Sequence, residues 1–120
     1  MSSLKKRLEI LYENKAITHL SKEICESAID RFIKPDQEES YAMLVTHLAM
    51  AITRHERKEA MEGPPEEMMA EIRQSFHLSE AEEKVNWIEA KMPGFPEEEK
   101  QFLLMHFVSA LNNEKREGLG

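Results

Sequence analysis

LVTHLAMAITRHER, residues 44–57, decides the fold class of this chain. Its apolar residues Leu44, Val45, Leu48, Ala51 and Ile52 recur at the three-and-four spacing of a helix with one face in a core, and Tyr41 extends that face by a turn. The same run places His47 and Arg54 seven residues apart. Seven residues is close to two turns, so the two side chains lie on nearly one line, roughly 10 Å apart along the axis. That line stands about 100° from the centre of the apolar face, on the shoulder of the helix. There a side chain keeps a buried stem and still meets solvent or a partner. A histidine in this position reads in two ways, as a packed and hydrogen-bonded neighbour of the core or as a functional imidazole.

Outward from this helix, every segment with a clear period is also helical. Leu4, Leu8 and Leu11 share a face in a short helix over roughly Leu4 to Glu13. SKEICESAIDRFIK carries Ile24, Ala28, Ile29, Phe32 and Ile33 at helical spacing and is ended by Pro35. Asp36, three residues before Glu39, predicts a capping box for the helix of the opening stretch, which runs to about Glu56. Gly63, Pro64 and Pro65 interrupt the pattern before a short helix with Met68, Met69, Ile72 and Phe76. Ser79 and Glu82 predict a second capping box, and Val85, Trp87, Ile88 and Met92 fill the helix that follows, stopped by Pro93 and Gly94. The last helix starts at FPEEE, where Pro96 suits the first turn and the glutamates suit the positive end of the helix dipole. The acidic runs read as solvated turns, and the eight methionines read as core filler.

The expected fold is therefore all-α. A length of 120 residues fits one domain, and 41% hydrophobic with 32% charged residues suits a globular protein with no apolar run long enough to cross a bilayer. The single Cys25 has no disulfide partner in the chain and falls where a helix carries a small core residue, which predicts a cytoplasmic location. A net charge of −7, with scattered basic residues, opposes direct nucleic-acid binding. Four glycines leave no phosphate-cradling loop, and no nucleophile motif is present, so no cofactor and no enzymatic activity are expected. No two histidines share the three- or four-residue helical spacing of paired ligands, so no metal is expected either.

The final helix repeats the opening geometry in reverse order. Glu99 and His106 are again seven residues apart, while Leu103, Leu104, Phe107, Ala110 and Leu111 define the apolar face. His47, from HLAMAITR (47–54), and His106, from FPEEEKQFLLMHF (95–107), stand at a separation and in an order that resemble the two histidine-bearing signatures of the PTS regulation domain. The resemblance extends over about residues 16 to 113.

That resemblance implies a compact five-helix bundle, preceded here by a short N-terminal helical extension. The expected organisation is an extension over 1–15, the helical domain over 16–114 and a flexible tail over 115–120. It also implies a stand-alone, noncatalytic phospho-acceptor module, a homodimer, whose His47 and His106 receive phosphoryl groups from HPr or enzyme IIB of the sugar phosphotransferase system. Such a module regulates transcription or an unidentified effector protein. Arg54 matches the arginine after the first histidine and Glu99 the acid before the second. Arg54 serves either as a phosphate clamp or as one half of a salt bridge. Glu99 either fixes an imidazole tautomer or caps its helix. The competing expectation is an adaptor or assembly subunit with the same fold and idle histidines.

Overall fold

The computed structural model describes residues 3–59 and 61–119, with side chains to residue 112. It contains six α-helices and one 3-10 turn, and no strand among the described residues. The helices are α1 (Ser3–Glu13), α2 (His19–Phe32), α3 (Glu38–Glu56), α4 (Glu66–Arg73), α5 (Leu78–Lys91) and α6 (Glu97–Leu119). The all-α expectation holds. The chain divides into two compact units, Met1–Ala60 and Met61–Gly120. The tail expected over 115–120 lies outside the residues whose side chains are described.

In the first unit, α1, α2 and α3 pack against one another. Leu4 and Leu8 of α1 are sealed at 2% and 0% exposure, while Leu11 is half-buried. Two polar attachments hold the helix in register. The Glu38 carboxylate at the start of α3 accepts from Ser3 Oγ at 3.1 Å and from the Leu4 backbone N–H at 3.0 Å. It thereby covers one orphan backbone donor in the first turn of α1. Toward α2, Lys5 Nζ lies 2.6 Å from Asp30, and that hydrogen bond raises the lysine pKa above its usual value.

Helix α2 begins at a Thr18 cap whose hydroxyl accepts from the Ser21 N–H at 3.2 Å. Ser21 is itself fully buried, and its Oγ donates to the Ala49 carbonyl of α3 at 2.7 Å. Cys25 takes the core position expected of it, and burial pushes its thiol pKa up to about 12. Along α3, the expected inward residues Tyr41, Leu44, Val45, Leu48, Ala51 and Ile52 are all buried.

Both expected capping boxes are corrected. Asp36 does not cap α3. Pro35, with its φ preset, opens a 3-10 turn over Pro35–Gln37 that runs directly into the helix, and Gln37 stands at the cap without a side-chain bond. The Gln37 side chain instead accepts from the Lys34 N–H at 3.3 Å. Likewise Ser79 lies inside α5, which starts a residue earlier with His77 at its cap position and no side-chain cap bond. Ser75 Oγ accepts from the His77 N–H at 3.0 Å just before the helix.

In the second unit, α6 packs against α4 and α5. Val85, Ile88 and Met92 are buried as expected, but Trp87 is half-buried, with Lys91 Nζ 5.0 Å from its ring centroid. Helix α4 buries Met69 alone and stops at Arg73, so Phe76, expected inside it, stands in the following turn at 103% exposure. Core filler is not the general use of methionine here. Of the seven described methionines, Met69 and Met92 are buried, Met50, Met61 and Met105 are half-buried, and Met43 and Met68 are exposed. Gly94 holds φ at +88° after α5, a conformation that a side chain strains.

Candidate functional site

His47 and Arg54 share α3 in the first unit, and Glu99 and His106 share α6 in the second. Helical periodicity explains how differently these four are treated. His47 is exposed although Leu48 and Ala49 beside it are completely buried, because one residue is a 100° step around the helix. Arg54 is half-buried. Met43, one turn before His47 and on the same side, is 68% exposed, so the histidine stands beside an open apolar side chain.

On the other flank of His47, the Thr46 hydroxyl donates to the Ala42 carbonyl at 3.0 Å, a bond within α3. Its lone pairs then accept from Arg7 Nη1 of α1 at 3.4 Å. A guanidinium from the N-terminal helix is thus held at the residue adjoining His47. Neither Arg7 nor Thr46 carries a local signal in the sequence. They lie 39 residues apart, and no period connects them.

Helix α6 departs from expectation at Glu99. Glu97 and Glu98 are exposed, but Glu99 is 2% exposed and is not a solvated turn residue. The reason is its register. Glu99 precedes Leu103 by four residues and Phe107 by eight, so it continues the buried face of the helix. Among the described residues, no buried side-chain nitrogen or oxygen lacks a hydrogen-bond partner, and the Glu99 carboxylate is accordingly engaged. His106 is half-buried on the flank of this face.

A shallow cleft of about 300 Å³ lies between α5 and α6, with Glu82, Asn86, Glu97, Lys100 and Gln101 around Val85 and Leu104. Lys100 bridges its rim, 3.1 Å from Glu97 and 3.3 Å from Glu89, and these bonds, first that to Glu97, raise its pKa. His106 does not line the cleft, because two residues beyond Leu104 place it about 200° around the helix. Two of the other histidines lie at the starts of α2 and α5. His19 Nε2 lies 2.9 Å from Glu23 and its ring 5.6 Å from that of Tyr12, and His77 stands at the start of α5. Among the described residues, no group of three or more histidine, cysteine, aspartate or glutamate side chains could hold a metal ion, and no helix is long and apolar enough to cross a membrane.

No curated protein and no solved structure matches the chain. A family model described as the PRD domain matches residues 14–110, from the residue after α1 into α6. With that match over most of its length, the chain belongs to the PRD domain family.

Proposed function

We propose that this domain is a phospho-acceptor switch of the sugar phosphotransferase system, with His47 and His106 as acceptors and HPr or enzyme IIB as donor. PRD domains are regulatory rather than catalytic modules of that system. One observation carries the reading. His47 is exposed on a helix whose next two residues, Leu48 and Ala49, are sealed, so a donor protein reaches the ring without the core opening. His106, half-buried, also keeps part of its surface in reach.

The transfer needs no metal and no separate base. A neutral imidazole nitrogen of the acceptor attacks the phosphorus of the donor's phosphohistidine. A P–N bond forms as the donor's P–N bond breaks, the acceptor ring gives up its N–H proton, and the departing imidazole takes up a proton. Because the transition state is loose, alignment and charge stabilisation are what the protein supplies. Arg54, two turns along α3, serves as a guanidinium for the phosphoryl oxygens, directly or across a homodimer interface, and Glu99 fixes the orientation of an imidazole. The added charge, close to two negative units, repels or re-pairs acidic subunits, and an effector protein in the cytoplasm responds to that rearrangement.

The test is incubation with phosphoenolpyruvate, the general phosphotransferase proteins and enzyme IIB, followed by site mapping of the label. Label on His47 or His106, lost site by site in H47A and H106A, is the expected result. Absence of label on both, while a known acceptor in the same tube is labelled, overturns the switch. An H47A/H106A double variant that still holds its partner then identifies the domain as an adaptor.

A further inference from the structure

The geometry points to Arg7 as a positioning residue for the phosphoryl group carried by His47, an inference that deepens the switch reading and rests on His47 being an acceptor. Helix α1 ends at Glu13, one residue before the residues matched by the family model begin. Yet it is docked at a fixed register. Leu4 and Leu8 are sealed, Glu38 binds its first turn, and Lys5 and Glu9 pair with Asp30 and Lys22 of α2. Arg7 directly precedes the sealed Leu8, and this register carries its guanidinium to Thr46 Oγ1. Thr46 spends its proton on the Ala42 carbonyl, so the hydroxyl acts toward Arg7 as an acceptor that aims the side chain at the flank of His47.

Side chains one residue apart on a helix emerge about 100° apart around the axis, with their roots several ångströms from each other, within the sweep of an arginine side chain. A phosphoryl group on His47 brings three acceptor oxygens and close to two negative charges to this flank. The Thr46 hydroxyl is neutral and its bond to Arg7 is long, so the phosphoryl oxygens outcompete it. The guanidinium turns from a weak neutral acceptor to a charge-assisted, paired contact. Met43 on the near side gives a donor protein an apolar surface against which to dock, and Arg7 neutralises the charge that arrives. Arg7 makes and breaks no covalent bond. It holds oxygens, which favours transfer to His47 and shields the phosphoramidate bond from water.

The experiment compares wild type, R7Q, R7K and the control K6Q, a neighbouring exposed position. Glutamine keeps the stem and the helix propensity of arginine while removing the charge, and circular dichroism verifies that α1 persists. Potassium phosphoramidate installs the phosphoryl group without any donor protein, and in a parallel series HPr or enzyme IIB delivers it. The readouts are the lifetime of phospho-His47 and the salt dependence of that lifetime. The expected result is a lifetime roughly tenfold shorter in R7Q, the scale of one charge-assisted hydrogen bond at a solvent-facing site. R7K restores part of it, K6Q equals wild type, and salt shortens the wild-type lifetime more than that of R7Q. Equal lifetimes in R7Q and K6Q overturn the inference. Labelling by phosphoramidate without labelling by the proteins overturns the switch reading and leaves the Arg7 comparison intact, whereas no label at His47 from phosphoramidate overturns both.

Discussion

Replacing Leu8 by alanine tests whether α1 is an integral part of the first unit. Leu8 has 0% exposure, so the substitution removes three fully buried carbons, a transfer loss of about 2.4 kcal/mol at ~0.8 kcal/mol per methylene. The incompletely collapsed cavity raises the total to about 3 kcal/mol. A second consequence follows from the size of the helix. Of its eleven residues, Leu4 and Leu8 are the buried ones, and a lone helix of that length is marginal in water. Once Leu8 is gone, α1 undocks before α2 and α3 separate. Urea unfolding should show the stability loss, and amide hydrogen exchange should show protection falling over residues 3–13 while the interior of α2 and α3 stays protected. The control is I10A, on the 56% exposed Ile10, with an effect within about 0.5 kcal/mol. A loss below 0.5 kcal/mol in L8A, or protection falling equally across the unit, would refute the docking on which the placement of Arg7 depends.

Two further outcomes are expected. Thr18 caps α2 through the Ser21 N–H and donates its hydroxyl to Glu56, so T18A should lose about 1–2 kcal/mol in urea unfolding whereas T18S retains nearly all of it; equal losses would remove the hydroxyl from the explanation. Cys25 has its thiol pKa raised by burial from 9.0 to about 12, so the folded state holds a proton that the unfolded chain releases first. Stability from this group is complete below pH 9 and is lost as pH rises from 9 toward 12, by on the order of 1 kcal/mol at pH 10. Comparing the urea midpoints of wild type and C25A from pH 8 to 10 isolates it from the lysines, and identical slopes would contradict the burial of the thiol.

The amino-acid sequence by itself determined the helices, the inward faces of α3, α5 and α6, the core position of Cys25, and the seven-residue spacing of His47 from Arg54 and of Glu99 from His106. Each of these is a matter of spacing along one helix, and the 3.6-residue period converts spacing into direction without knowledge of the rest of the molecule. The tertiary structure decided what lies across from those faces. Pro35 opened a 3-10 turn, so Gln37 and not Asp36 stands at the start of α3, and His77 stands at the start of α5, with its N–H bonded to Ser75, so that Ser79 falls inside the helix. Phe76 lay outside α4, and Glu99, the last of three glutamates, turned inward where its two neighbours stayed in water. Arg7 reached Thr46 across 39 residues, a contact set by how α1 seats on α3 and invisible to any local pattern. Direction around a helix is a local property of the chain, whereas the partner met in that direction is fixed by packing between distant segments.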